Sequence, residues 1–165
     1  MREEFIYHSG LKDFPSLKVI LDDDVLIGIS FLNKDDSILK SLKDSPIKQW
    51  LDSYFKGDKP CFDVPYKFIG TTMFQERIYQ LIKDIPYGKT RSYSDIAKLY
   101  QERFNVAKMS SQAIGHALNK NPICIYFPCH RIIGKRGSLV GFGGGIDTKS
   151  KLLKHENKDF KYLDR

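Results

Sequence analysis

No stretch of this 165-residue sequence approaches the length of a membrane span, and its opening residues, MREEFIYHSG, lack the apolar core of a secretory signal. A cytoplasmic address with no membrane partner is the expectation. Cysteine is scarce. The three present, Cys61, Cys124 and Cys129, are an odd number, and they show neither Cys-x-x-Cys nor a Cys/His ligand spacing. This speaks against a disulfide framework and against a zinc site, so no metal and no cofactor are expected. Repeats and low-complexity segments are also missing. What remains, 41% hydrophobic and 28% charged residues, suits a globular chain of one domain or two small ones.

Charge is present in excess of one sign, and its placement matters more than its size. The net charge is +7. Residues 1–69 hold 10 Lys/Arg against 12 Asp/Glu, residues 70–155 hold 14 against 5, and the last ten balance. The surplus therefore lies in the second half, the footprint expected for a polyanion such as DNA. A lysine-rich solvated surface would read the same way from composition alone.

The first part of the chain predicts two strands, Leu17–Leu21 and Val25–Leu32, joined by a tight acidic turn at Asp22–Asp24. Ser45-Pro46 opens a helix through Tyr54, with Gly57 just past its end. The proline-bearing segment up to Ile69 reads as a linker, which divides the chain into an N-terminal domain, 1–66, and a C-terminal domain, 67–165. Thr72-x-x-Gln75 is a capping box for a helix whose apolar positions are Phe74, Ile78, Leu81, Ile82 and Ile85. A second helix is expected from about Tyr93 to Gln101 with Ile96, Leu99 and Tyr100 as its apolar face. A third runs from Ser110 or Ser111 to about Lys120, with Ile114 and Leu118 inward and Gln112, His116 and Asn119 outward. The fold class is thus mixed α/β (α+β): a short antiparallel sheet with a helix, then a mostly helical domain with a helix-turn-helix of winged-helix type. Ala113, Gly115 and Ala117 on the third helix permit either close approach to a nucleic-acid backbone or tight helix packing.

The chemistry centres on Pro128-Cys129-His130-Arg131. A thiolate is the nucleophilic form of cysteine, and an adjacent imidazole or a helix N-terminus lowers a thiol pKa from about 8.5 towards neutrality. Cys129 is therefore a candidate nucleophile, the alternative being a buried structural cysteine. In the terminal run LLKHE, Glu156 lies three and four residues from Leu153 and Leu152, hence on an apolar helix face where a carboxylate needs a partner.

From about Thr72 to Glu156 the chain resembles the O6-alkylguanine-DNA alkyltransferases. The resemblance runs in order through Phe74-Gln75, IPYGKTRSYSDIA from Ile85, QAIGHALNKNP from Gln112, FPCHR, the glycine-rich GSLVGFGGG at 137–145, and LLKHE, with one spacing difference; LDSYFKG at 51–57 is also familiar. It implies repair of double-stranded DNA, by a monomer, through transfer of an alkyl group from O6-alkylguanine, with O4-alkylthymine as a possible second substrate, onto Cys129. The product is S-alkylcysteine, and the protein acts once. His130, oriented by Glu156, takes the thiol proton through a water, and Asn121 holds the backbone before the cysteine. Arg131 is assigned to structure, as half of a buried ion pair, with phosphate contact as the alternative. The helix-turn-helix enters the minor groove through Ser111, Gln112, Ala113 and Gly115, and the base is rotated out of the stack. Tyr93 bonds N3 of the flipped guanine, while backbone groups of Cys129, Ile132 and Gly143 read its edge. Two positions depart from the family: Gln112 stands where an arginine wedge is usual, and Phe142 where a tyrosine is usual. Lys108 or Met109 in the inter-helix loop could share the wedge. The rival readings are a turnover cysteine hydrolase and a non-catalytic lesion-binding protein of the same fold.

Overall fold

The computed structural model describes residues 1–32 and 38–161. It divides into two compact units, Met1–Ile69 and Gly70–Arg165. In the first, β1 (Arg2–Tyr7), β2 (Leu17–Asp22), β3 (Val25–Phe31) and the short β4 (Lys40–Ser41) form a sheet in the order β3-β2-β1-β4. The β2–β3 hairpin turns at Asp23 and Asp24, both with positive φ, the backbone that two-residue hairpin loops require. β1 sits inside the sheet, antiparallel to β2 and parallel to β4. Its alternation, with Phe5 and Tyr7 buried, is short and masked by the charged Arg2, Glu3 and Glu4, so periodicity did not reveal it.

α1 (Pro46–Lys56) starts on the Ser45 side chain and stops at Gly57, whose φ of 86° is a left-handed cap suited to glycine. It buries Ile47, Trp50, Leu51, Tyr54 and Phe55. The Phe55 ring packs on Tyr7 of β1 at 6.0 Å, and the Tyr7 hydroxyl donates to Asp52 at 2.8 Å. Fully burying a side chain such as Leu51 contributes roughly 1.5–3 kcal/mol, so this apolar face is what holds the unit together. The segment read as a linker is tied to β3: Leu26 N donates to the Pro65 carbonyl and Lys67 N to the Leu26 carbonyl, both at 2.9 Å.

The second unit is built on α2 (Met73–Lys83), α3 (Tyr93–Phe104), α4 (Ser111–Asn119) and α5 (Ile146–Glu156), with a two-stranded parallel ladder of β5 (Arg91–Ser92) and β6 (Ile132–Ile133). Thr72 and Gln75 form the reciprocal capping box, and Ser92 and Asp95 form a second one at the start of α3. Two readings of α3 need correction. It continues to Phe104 because that ring packs against Tyr100 at 4.7 Å and under the Arg77 guanidinium at 4.4 Å, so the connection to α4 is only 105–110. Its buried face is Ile96, Ala97 and Tyr100, whereas Leu99 is 41% exposed. α4 buries Ile114, Ala117 and Leu118, and the Tyr79 hydroxyl donates to the Ala117 carbonyl at 2.7 Å, locking α2 to α4. Among the described residues no helix is long and apolar enough to cross a membrane.

Ser92→Ala removes the side-chain acceptor for Asp95 N at the head of α3. It is expected to lower unfolding free energy by about 1 kcal/mol, read from the urea midpoint; an unchanged midpoint would show that the Asp95 side chain, donated to by Ser92 N, suffices alone.

Candidate active site

The site belongs to the second unit and starts from a turn. Gly88, at φ +79°, donates its amide to Glu156 Oε2 at 3.2 Å. A Cβ at this position would meet the Glu156 carbonyl oxygen at 3.1 Å, so close approach and backbone together call for glycine. From the 3₁₀ turn at Cys129–Arg131, Arg131 Nε donates to both Glu156 oxygens at 2.9 and 3.2 Å and Nη2 to Oε1 at 3.0 Å, while Nη1 donates to the Ile85 carbonyl at 2.7 Å. His130 Nε2 lies 2.6 Å from Glu156 Oε1. The His130 and Glu156 side chains are fully buried.

Burial by itself would raise the Glu156 pKa. His130 and Arg131 outweigh it and hold the carboxyl well below the ordinary range. An ionised carboxylate only accepts, so His130 Nε2 carries the proton and donates. Burial pushes the His130 pKa down more than Glu156 raises it, leaving the ring neutral. Nδ1 then bears a lone pair, and it is the one buried side-chain N or O among the described residues with no hydrogen-bond partner. The ring is fixed as a neutral base.

Cys129 is 6% exposed. Its thiol pKa is lowered chiefly by a hydrogen bond from the Cys124 thiol, against the opposing effect of burial, with further help from the Asn121 side chain and the Lys149 charge. Asn121 also shapes the approach: Nδ2 donates to the Phe127 carbonyl at 2.8 Å and Oδ1 accepts from Ile123 N at 3.1 Å. Lys149, fully buried on α5, donates to the carbonyls of Ile132 and, at 3.1 Å, Val140. Desolvation pushes its pKa down to about 8, opposed by Cys129.

A cavity of about 400 Å³ opens between the start of α3, the outer face of α4 and the glycine-rich segment. Tyr93, Ser111, Gln112, Gly115, Asn119 and Gly141 contribute to its lining. The Tyr93 hydroxyl donates to the Val140 carbonyl at 3.0 Å, and its pKa is raised by burial and then by Cys129, which places ring and thiol near one another. Gly115 packs beside that ring: a Cβ there would lie 3.6 Å from it, at ordinary van der Waals contact. Of the other residues singled out from sequence, Ala113 donates its amide to the Ser110 cap. Cys129, Ile132, Phe142 and Gly143 do not line this cavity, and the Ile132 carbonyl already accepts from Lys149.

Sequence reasoning missed Lys149, Gly88 and the Ile85 carbonyl, and gave Cys124 no role. Lys149 had a readable signal, since with Leu152, Leu153 and Glu156 it falls at i, i+3, i+4 and i+7 on the buried face. Among the described residues no group of three or more His, Cys, Asp or Glu is arranged to hold a metal ion.

Known proteins carry the same organisation. The family profile described as 6-O-methylguanine DNA methyltransferase, DNA binding domain, matches residues 73–158. A methylated-DNA–protein-cysteine methyltransferase of Methanosarcina acetivorans is 45% identical over 107 residues, 64% of this chain and 64% of that protein. The inducible methylated-DNA–protein-cysteine methyltransferase of Bacillus subtilis is 34% identical over 161 residues, 98% of this chain and 76% of the relative. The chain spans 64% of the length of the archaeal relative and 61% of a Mycobacterium leprae protein of the same name. Among solved structures, the O6-methylguanine methyltransferase of Mycobacterium tuberculosis has a TM-score of 0.77 at 30% identity, covering 98% of this chain and 96% of that one. The Mycobacterium tuberculosis OGT in complex with DNA gives 0.72 at 31% identity, covering 95% and 92%.

Glu156→Gln would leave Arg131 as a buried charge without its counter-ion and is expected to cost about 3–5 kcal/mol at neutral pH. Because the folded Glu156 pKa is depressed, its contribution is full above the unfolded carboxylate value, about 4.3, and is lost as pH falls below it. Denaturant unfolding of the two proteins from pH 7 downwards should show the gap closing in acid; a gap independent of pH would mean that the carboxylate charge is not its origin.

Proposed function

The chain belongs to the family of methylated-DNA–protein-cysteine methyltransferases, and from that membership we propose that it repairs DNA by moving an alkyl group from O6-alkylguanine onto Cys129. The observation that carries this reading is a buried thiol with a lowered pKa, caged by Cys124, Asn121 and Lys149, next in the chain to a histidine fixed as a neutral base. The Cys129 proton passes to His130 Nδ1, through a water, and Glu156 stabilises the imidazolium that forms. The thiolate attacks the alkyl carbon, the C–S bond forms, the C–O6 bond breaks, and the purine leaves with the proton returned by the active-site groups. A thioether has no hydrolytic route back, so the chain acts once.

Double-stranded DNA is the partner, met in the minor groove by α4, with Ser111, Gln112, Ala113 and Gly115 facing it. The surplus positive charge of residues 70–155 supports phosphate contact. The flipped base enters beside Tyr93, whose hydroxyl exchanges the Val140 carbonyl for N3 of the guanine and so offsets charge on the leaving purine. Backbone of Cys129, Ile132 and Gly143 and the wall of Phe142 are the further contacts that the family resemblance implies, although none of them lines the cavity as it stands. The protein acts as a monomer in the cytoplasm, where a reducing environment preserves the thiol. O4-alkylthymine is the expected lesser substrate. A lesion-binding protein that transfers nothing has no use for so prepared a thiol, and the structural relatives that cover nearly the whole chain are methyltransferases.

Intact-mass analysis after mixing with an oligonucleotide containing O6-methylguanine tests the proposal. One methyl group per chain is expected, on Cys129 and not on Cys61 or Cys124, with none on Cys129→Ser. Repeated turnover with excess substrate, or label on another cysteine, would overturn it.

Gln112 is exposed at the start of α4 and lines the cavity. Gln112→Arg should therefore speed repair in duplex DNA several-fold, equivalent to about 1 kcal/mol off the extrusion barrier, and leave transfer from the free base unchanged. Single-turnover rates on both substrates decide it: equal effects on the two, or slower duplex repair, would assign the wedge to the 105–110 connection instead.

A further inference from the structure

The thiol that conditions Cys129 is itself a cysteine, and the alkyl-transfer chemistry does not consume it. Cys124 lies five positions before Cys129, yet the chain doubles back sharply between them. Ile125 has φ +69°, Tyr126 N donates to the Cys124 carbonyl at 2.8 Å, and Cys129 N donates to the Phe127 carbonyl at 2.8 Å. Both thiols converge on one residue. Cys124 Sγ lies 3.6 Å from the Asn121 carbonyl oxygen, and the Asn121 side chain helps to lower the Cys129 pKa. Each thiol is the largest influence on the other's pKa, through a hydrogen bond between them that lowers Cys129 and raises Cys124. Cys124 is half-buried and Cys129 buried, so the pair is shielded from large reagents. Cys61, by contrast, is exposed in the Met1–Ile69 unit.

We propose that Cys124 and Cys129 are a redox pair, in which a hydroperoxide oxidises Cys129 and Cys124 captures the product as a disulfide that a thiol reductant reopens. In the first step the Cys129 thiolate attacks the peroxide: an S–O bond forms, the O–O bond breaks, and hydroxide leaves. In the second, Cys124 sulfur attacks Cys129 sulfur: the S–S bond forms, the S–O bond breaks, and water leaves with the Cys124 proton. Two electrons pass from the thiols to the peroxide, and the reductant returns them.

Cys124 suits the resolving role. Its pKa is raised well above normal first by the hydrogen bond to Cys129, then by burial and by the Cys129 charge. Two of these three causes vanish once Cys129 is a neutral sulfenic acid, so the resolving thiol is released to ionise by the event it must answer. Without capture, a sulfenic acid proceeds to sulfinic and sulfonic acids, which thiols do not reverse. For a chain that can accept one alkyl group, such oxidation removes the acceptor for good. The disulfide withdraws it reversibly, as redox-sensing disulfides of reducing compartments do. This consequence rests on the alkyl-acceptor reading; the disulfide itself does not.

The test uses the full chain with Cys61→Ser, so that the exposed thiol is out of the assay, and the same chain with Cys124→Ser added. Each is reduced, treated with hydrogen peroxide, and followed by intact mass, by non-reducing digestion, and by methyl transfer relative to its own unoxidised sample. The Cys124-containing chain should lose two hydrogens, yield a Cys124–Cys129 cross-linked peptide, and recover its methyl transfer in dithiothreitol. The Cys124→Ser chain should instead gain two or three oxygens on Cys129 and recover nothing. Equal accumulation of oxygens on Cys129 in both chains, with no cross-linked peptide, would overturn the proposal. The mass readouts need no alkylated substrate, so failure of the disulfide and failure of the transfer reading register separately.

Discussion

Glu156 is the constraint around which the C-terminal unit closes. One buried carboxylate collects the Gly88 amide, the His130 ring and the Arg131 fork, and so joins three segments that are far apart in sequence. Buried ion pairs add little net stability on their own, because the cost of desolvation rivals the attraction. What this one contributes is geometry. Arg131 takes up the carboxylate's charge and is itself anchored on the Ile85 carbonyl, and with the charge on Glu156 secured, the proton on the Glu156-facing nitrogen of His130 is fixed in place. The chemistry of the imidazole follows from a structural salt bridge one residue away.

The same economy governs the Cys129 thiol. Burying a thiol opposes its ionisation, and here burial is outweighed by short-range donors: Cys124, Asn121, and the charge of a lysine that has itself lost affinity for its proton by burial. Lys149 has a second effect. By donating to the carbonyls of Ile132 and Val140 it braces the segment whose Val140 carbonyl also receives the Tyr93 hydroxyl. A change in the wall of the cavity is thereby felt at the lysine beside the thiol.

Local signals in the sequence were strong wherever one residue decides the outcome. Ser45, Thr72, Ser92 and Ser110 cap helices by their own side chains, and Gly57 ends one, so these boundaries could be read directly. The hairpin at Asp22–Asp24 was equally plain. What escaped depends on pairing across distance. β1 is a strand because β2 and β4 flank it, and α3 runs past Gln101 because Phe104 finds Tyr100 and Arg77. At the site, the motif residues and the supports Glu156, Asn121 and Arg131 were named from the sequence, whereas Gly88, Lys149 and Cys124 were not. Nothing local to Gly88 announces Glu156 as its partner, and nothing local to Cys124 announces the thiol contact, since both arise from how the chain returns on itself.

In the proposed reading, base handling and alkyl transfer fall to different parts of the second unit. Gln112, Ser111 and Gly115 stand on α4 at the cavity, while Cys129, His130 and Glu156 lie in the core and take no part in its lining. Tyr93 is the link, with its ring against the cavity and close enough to Cys129 for the thiol to raise its pKa. A substitution on the outer face of α4 therefore acts on entry of the base and leaves the thiol's surroundings alone. A substitution at Asn121, Cys124 or Lys149 acts on the thiol and leaves the groove-facing helix alone. This separation lets Gln112 on the α4 surface change without any compensating change in the buried machinery, and it makes Tyr93, together with Lys149 through its bond to the Val140 carbonyl, a position where both steps would be felt at once.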